Sequence, residues 1–234
     1  MLDQLIFLSQ QEPIVNMDRA TPTQETQSLF DIIAAGGPLG WVIIGLQLFM
    51  LFVAISIFIE RYLTIKKASQ IDESFMNNIR FNVQSGNIQG AKALCQATDS
   101  PVARMVEKGL MRIGKPLRDI DAAIENVGNL EIFKLEKNLS TLASIAGASP
   151  MLGFLGTVTG MIIAFYDMAN QQNVTPALLA GGIYQALITT AFGLIVGIFA
   201  LVAYNVMVAN VDKVVFKMER STTEFMDLLQ EPTH

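Results

Sequence analysis

Three long stretches of the chain lack any charged residue, and they divide it. From Trp41 to Ile59 nineteen uncharged residues run up to Glu60-Arg61; a second such stretch runs from Asn138 to Tyr166, and a third from Ala177 to Ala209. At about 1.5 Å rise per residue the first covers roughly 28 Å, the thickness of a hydrocarbon core. The pattern predicts transmembrane helices over 38–60, 142–169 and 177–209. At 33 residues the third run exceeds one crossing, so its C-terminal end is expected to project beyond the bilayer as helix. Between the last two lies the polar run Asn170-Gln171-Gln172-Asn173-Val174-Thr175-Pro176. It reads as a turn over 170–176 that makes the second and third spans antiparallel neighbours.

The remaining segments carry mixed charge. Residues 61–141 break at Ser85-Gly86-Asn87, Ser100-Pro101 and Gly114-Lys115-Pro116, and the pieces between are rich in helix formers. Four or five helices are expected there. Over 210–234 a further helix is expected: Val211, Val214, Met218, Thr222, Phe225 and Leu229 recur at three- and four-residue steps. That apolar face calls for a partner, either the 61–141 helices or a neighbouring subunit. The fold class is therefore an all-α membrane protein with three transmembrane helices.

Composition sharpens this. Half the residues (51%) are hydrophobic and 16% are charged, with a mean hydropathy of +0.42, whereas soluble domains carry about 25% charged residues. A net charge of −5 offers no electrostatic footprint for a nucleic acid. One cysteine, Cys95, and one histidine, His234, exclude an internal disulfide and argue against a metal site or a Cys–His dyad. Cys95 sits among Ala91, Ala93, Leu94 and Ala97, the setting of a small buried hydrophobe. The chain has no Gly-rich phosphate loop and no nucleophile motif, so neither an enzyme nor a cofactor is expected.

Basic residues set the orientation. The forty residues before the first span hold Arg19 against five acids; the 170–176 turn holds no basic residue. Arg61, Lys66, Lys67 and Arg80 follow the first span, Lys134 and Lys137 precede the second, and Lys213, Lys217 and Arg220 follow the third. Segment 1–37 is thus expected outside, with 61–141 and the C-terminal helix in the cytoplasm. Met1 to Leu8 lacks the basic start and long apolar run of a signal peptide.

The second and third spans are not simple anchors. Gly153, Gly156, Gly160 and Ala164 share one side of the second, a small-residue ridge for close helix approach, with Ser149 and Thr157 on the same side. The ridge serves packing within one subunit or against another chain, and Thr157 bonds its own helix or a neighbour. In the third span Gln185, Thr189, Gly193 and Gly197 fall at steps of four, beside Thr190. A deep glutamine must find partners. It reads either as glue between helices or, with the threonines, as the polar lining of a narrow channel. Thr157 and Thr190 fall about 14 and 20 Å below the outer surface. No carboxylate or lysine lies at mid-span, so an ion path needs a carboxylate from another polypeptide.

The run Ala148-Ser149-Pro150-Met151-Leu152-Gly153-Phe154-Leu155-Gly156-Thr157-Val158-Thr159-Gly160 closely resembles the second-span signature of the MotA/TolQ/ExbB proton-channel family. Gly182-Ile183-Tyr184-Gln185-Ala186-Leu187-Ile188-Thr189-Thr190-Ala191-Phe192-Gly193-Leu194 resembles its third-span signature, and Ala203-Tyr204-Asn205 its span end. The resemblance implies a pentamer in the bacterial inner membrane around the helices of a small single-span partner, ExbD-like or TolR-like, whose membrane aspartate carries the ion. It implies that Thr157 and Thr190 face the channel and that Asn205 stands near its cytoplasmic end. Three spans favour the ExbB or TolQ type over the flagellar stator. The implied function is an ExbB-type subunit that powers TonB-dependent transport across the outer membrane; a TolQ-like role in envelope maintenance, or a non-conducting scaffold, is the alternative. Two positions depart from the family pattern: the typical third-span glutamate is Gln185, and a proline near the inner end is Phe199. Besides these protein partners, membrane lipid is the expected surroundings and nucleic acid is not.

Overall fold

The computed structural model describes residues 37–69, 73–170 and 176–230. Almost all of segment 1–37, the turn residues 171–175 and the end of the C-terminal tail lie outside the described residues. What is described is helical, with no strand among the described residues. In chain order the helices are α1 (Gly37–Ser69), α2 (Glu73–Gln84), α3 (Ile88–Ala97), α4 (Pro101–Leu110), α5 (Leu117–Glu136), α6 (Leu139–Asn170) and α7 (Pro176–Gln230). Three of them, α1, α6 and α7, contain stretches long and apolar enough to cross a membrane. The chain is a multi-pass membrane protein.

Local chemistry explains the breaks. Gly86 ends the α2 turn at φ +72°, a left-handed conformation that costs glycine little. The Asn87 side chain then caps α3 by accepting from the Gly90 amide at 3.0 Å. Ser100 does the same for α4, accepting from the Ala103 amide at 3.1 Å, with Pro101 at the first helical position. Gly114, at φ +92°, turns the chain before α5. Between α5 and α6 a single left-handed residue, Asn138 at φ +65°, breaks what is otherwise near-continuous helix, and α6 begins at once with Leu139. The second spanning helix thus starts three residues earlier than expected.

The first spanning helix runs past residue 60 to Ser69, and the third continues without interruption through residue 209 to Gln230. No helix breaker separates span from tail in either case. Pro150 lies inside α6 without ending it. In α7 the Phe199 ring stands edge-on to Phe58 of α1, centroids 6.2 Å apart.

Two apolar clusters hold the helices together. Within the spans Ala54, Leu142, Ile145, Val196, Ala200 and Ala203 join α1, α6 and α7. Beyond them, Met207, Val211, Val214, Met218 and Phe225 of α7 pack with Ile79, Val106, Leu110, Ile120 and Ile124 of α2, α4 and α5. The partner of the tail's apolar face is therefore the helical region of its own chain. The seam differs in detail from the expected one: Ser221 and Leu228 are buried, while Thr222 and Leu229 are only partly so. Its buried positions recur about every 3.5 residues, the period of a helix that winds slightly around its neighbours, rather than 3.6.

Candidate functional site

The small residues of α6 face α7 of the same chain. A Cβ added at Gly153 would stand 3.0 Å from the Thr189 carbonyl oxygen, and one at Gly156 would lie 2.3 Å from the Thr189 hydroxyl. A Cβ at Gly160 would meet Ala186 at 3.0 Å, and Ala164 itself stands where a Cβ on Gly182 would come within 2.5 Å. From the α7 side, a Cβ at Gly193 would reach 2.6 Å from the Ser149 carbonyl, and one at Gly197 2.6 Å from the Pro150 ring. Pairing that falls on α6 as it rises on α7 makes the two helices antiparallel. The ridge is covered within the subunit, so it does not by itself demand an oligomer.

Close approach brings hydroxyls and backbone carbonyls together. Thr157 and Thr190 have their Oγ1 atoms in hydrogen-bond contact. Thr190 also donates to the Gly153 carbonyl at 2.9 Å, and Thr157 lies 3.3 Å from both the Gly153 and Ala186 carbonyls. The expected difference in depth, which takes the end of the uncharged run at Tyr166 as the outer end, disappears because the α6 helix itself extends to Asn170. The two threonines then lie about 20 Å from the ends of their helices, counted at 1.5 Å per residue. Each hydroxyl carries one proton. Whichever threonine donates to the other, both protons have acceptors inside this cluster.

Thr189 behaves differently. It is 2% exposed, and its hydroxyl donates to the Ala186 carbonyl one turn back at 2.8 Å. Expected as lining, it is enclosed between α1 and α6, because the line Thr189, Gly193, Gly197 is the packing seam itself. Thr190, one residue round the helix, stands at the seam's edge and is partly open. Asn205 is exposed, about four turns beyond the threonine cluster on α7. The side chain of Gln185 lies outside the described residues.

Gln47 of α1 was not among the residues singled out from sequence, yet it completes this cluster. It is 1% exposed and donates from Nε2 to the Thr189 carbonyl at 3.1 Å. Gly193 makes that reach possible, since a Cβ there would come within 2.9 Å of Nε2. The Gln47 Oε1 and the Ser149 hydroxyl have no hydrogen-bond partner in the described structure. The available signal was the lone amide in an uncharged nineteen-residue run, a group that lipid cannot satisfy.

Outside the spans a chain of ion pairs ties the helices together. Asp99 pairs with Lys67 at 2.6 Å and with Arg104 at 2.8 Å; Arg104 reaches Glu131 at 2.6 Å, and Lys134 pairs with the same carboxylate at 2.7 Å. Arg61, buried at the end of the first uncharged run, pairs with Glu60 and donates to the Lys134 carbonyl at 3.0 Å. Burial alone would raise the Glu131 carboxyl, but Arg104 and Lys134 more than offset it and hold the group below its ordinary range. Lys67, then Arg104, lower the exposed Asp99. Burial pushes the Cys95 thiol up to about 12, assisted by the Glu107 charge, so it is not a reactive thiolate. No cluster of three or more metal-ligating side chains occurs among the described residues. These charges join α1, α4 and α5 into one support below the spans.

Comparison with known proteins follows the same seam. The chain is 27% identical over 194 residues to a putative biopolymer transport protein ExbB homolog of Methanothermobacter thermautotrophicus, covering 82% of this chain and 67% of that one. It is 33% identical over 147 residues to the Tol-Pal system protein TolQ of Pseudomonas aeruginosa (58% and 64%). Against the biopolymer transport protein ExbB of Salmonella typhimurium it is 28% identical over 160 residues (59% and 64%). The matches thus span about two thirds of each of these relatives. Residues 97–220, which hold the threonine cluster, the glycine seam and the tail packed on α4 and α5, match the MotA/TolQ/ExbB proton channel family, and the chain belongs to that family.

Proposed function

We propose that the chain is the channel-forming subunit of an ion-motive-force-driven, energy-transducing complex in a bacterial inner membrane. Its N-terminus is periplasmic, and its C-terminal helix and residues 61–141 are cytoplasmic, as the placement of Lys and Arg supports. Several copies, a pentamer by family resemblance, surround the membrane helices of an ExbD-like or TolR-like partner that contributes an aspartate. The supporting observation is the Thr157–Thr190 pair. With both hydroxyl protons engaged internally, the pair offers acceptors to the protonated form of a carboxyl group and no free donor to its ionised form. Such a site distinguishes the two states of a proton carrier without titrating itself, in keeping with the neutral amide at Gln185. Thr157, Thr190, Gln185 and Asn205 line the pathway; Thr189, Gly153, Gly156, Gly160, Ala164, Gly193 and Gly197 hold the helices that carry it.

Of the two roles open to such a subunit, the ExbB type delivers energy through a TonB-like protein to outer-membrane transport. The match to a TolQ protein supports the second, envelope maintenance. Proton flux into liposomes carrying the chain with and without its single-span partner tests the channel. Flux that requires the partner and falls in the Thr157→Val/Thr190→Val variant is the expected result; no flux with a well-assembled complex leaves the scaffold reading. Complementation of cells lacking their own ExbB or TolQ separates the two roles.

A further inference from the structure

Where α1 and α7 leave the apolar part of the molecule they flank a cleft of about 340 Å³, lined by Tyr62, Ile65, Lys66, Ser69, Asn210 and Lys213. This is within the size range of small-molecule sites, about 300–1,000 Å³. Its position along the helices is informative. Tyr62 directly follows Glu60-Arg61, which close the first uncharged run, and Asn210 directly follows Ala209, which closes the third. The cleft is therefore level with lipid headgroups. One helical turn nearer the bilayer, Ile59 and Val206 are 53% and 44% exposed, apolar surface of the kind an acyl chain covers.

Charge in the cleft is uncompensated. Lys66 and Lys213 appear in none of the ion pairs among the described residues. Lys66 holds its ammonium 5.9 Å from the centre of the Tyr62 ring, which anchors it at the mouth. The carboxyl end of α1 would oppose an anion, but Lys217 donates to the Ser69 carbonyl at 2.9 Å and to its hydroxyl at 3.2 Å, offsetting that end. What remains is two ammonium groups, a phenol and an amide at headgroup depth between two spanning helices.

We propose that this cleft binds the phosphate headgroup of an anionic membrane phospholipid. Lys66 and Lys213 take the phosphate, Tyr62 and Asn210 supply hydrogen bonds to the headgroup, and Ile59 and Val206 carry the upper part of an acyl chain. A soluble glycerol phosphate shares the phosphate chemistry but lacks the apolar contact. The proposal needs only that α1 and α7 span a bilayer; it stands or falls separately from ion conduction.

Native mass spectrometry of the full-length chain in its membrane complex tests it, with phosphatidylglycerol, phosphatidylcholine of the same acyl chains, and glycerol 3-phosphate as probes. The expected result is retention of phosphatidylglycerol over phosphatidylcholine by about tenfold or more at low salt. That preference is lost in Lys66→Gln/Lys213→Gln. It is kept in Lys66→Arg/Lys213→Arg and in Lys92→Gln/Lys115→Gln, which removes the same charge outside the cleft. Raising salt from about 50 to about 500 mM on the unaltered protein should weaken the anionic lipid selectively, a readout that does not depend on any variant folding. Equal retention of the two lipids, a preference indifferent to Lys66→Gln/Lys213→Gln, or glycerol 3-phosphate held as tightly as the lipid overturns the proposal.

Discussion

Thr157 of α6 and Thr190 of α7 share a hydrogen bond across the interior of the spans although 33 residues separate them in the chain. The contact exists because Gly153 and Gly156 leave no side chain between the helices, so the third span's backbone lies against the second. Both hydroxyls then converge on the Gly153 carbonyl. Neither threonine is exchangeable without altering what the other bonds to.

Thr157→Val and Thr190→Val each remove one hydroxyl at nearly constant volume. A membrane hydrogen bond of this kind is worth about 0.6 kcal/mol, so complex yield should stay near normal while partner-dependent proton flux falls. Because the hydroxyls act on one another, the double variant should lose less than the product of the single losses. Flux and complex yield measured on all three variants decide the matter. Normal flux in the double variant refutes the shared role, and loss of the complex assigns the pair to packing.

Gly193→Ala should separate the two helices. Its new Cβ would press on the Ser149 carbonyl and the Gln47 amide, backbone and a buried side chain with little room to yield. Overpacking of this sort costs about 1–3 kcal/mol. Gly147→Ala, on the neighbouring helix α6 but with open space around it, should be neutral or slightly stabilising. Thermal unfolding of the purified protein compares them, and equal melting points for the two variants would contradict the close-packed seam.

Gln47→Leu removes one hydrogen bond and, with it, the unpaired Oε1. The two effects oppose one another, so stability should change by less than about 1 kcal/mol. Flux should nevertheless fall if the amide holds the Thr189–Thr190 backbone in place. Gln47→Glu places a carboxyl in the same buried position and should lower the yield of assembled protein at neutral pH. Wild-type flux in Gln47→Leu would reduce the amide to a packing element.

Glu131→Gln tests the support beneath the spans. The side chain is buried and bonded to Arg104 and Lys134, and its loss as a charge should cost about 2 kcal/mol at pH 7. The sign of the pH dependence follows from the lowered carboxyl. The unfolded chain takes up protons near the ordinary 4.5, before the folded one does. The contribution is therefore complete above that value and is lost as pH falls through the lower folded-state value. Asp99, lowered by Lys67 and Arg104, acts in the same direction. Melting points between pH 7 and pH 3 should decline less steeply in Glu131→Gln than in the unaltered protein; parallel curves would remove Glu131 from the acid response.

Cys95, its thiol pushed up to about 12 and its side chain buried, should resist alkylation at pH 8 until the helices open. Mass change after iodoacetamide, with and without denaturant, reads this directly. Rapid labelling of the native protein would show that α3 and α4 separate under native conditions.

The helical class, the three spans and the breaks at Gly86, Ser100-Pro101 and Gly114 were legible in the residues, whereas the break at Asn138 was not. Uncharged runs of this length have one solution in lipid, where each backbone group must be satisfied within its own segment. Gly86, Ser100-Pro101 and Gly114 act through local geometry that needs no distant partner. The threonines and small residues were legible too, as types that an anchor does not need. What sequence could not decide was which of them face one another. Steps of four along α7 place Thr189, Gly193 and Gly197 on one line, but only the contact with α6 shows that this line is the seam and that Thr190 stands at its edge. The role of Gln47 depends on a carbonyl 142 residues away, and the tail's seam, shifted to Ser221 and Leu228, depends on how α7 winds around α4 and α5. Periodicity is a property of one helix; register between helices is settled by the shapes that meet, so it emerges only when the chain has folded.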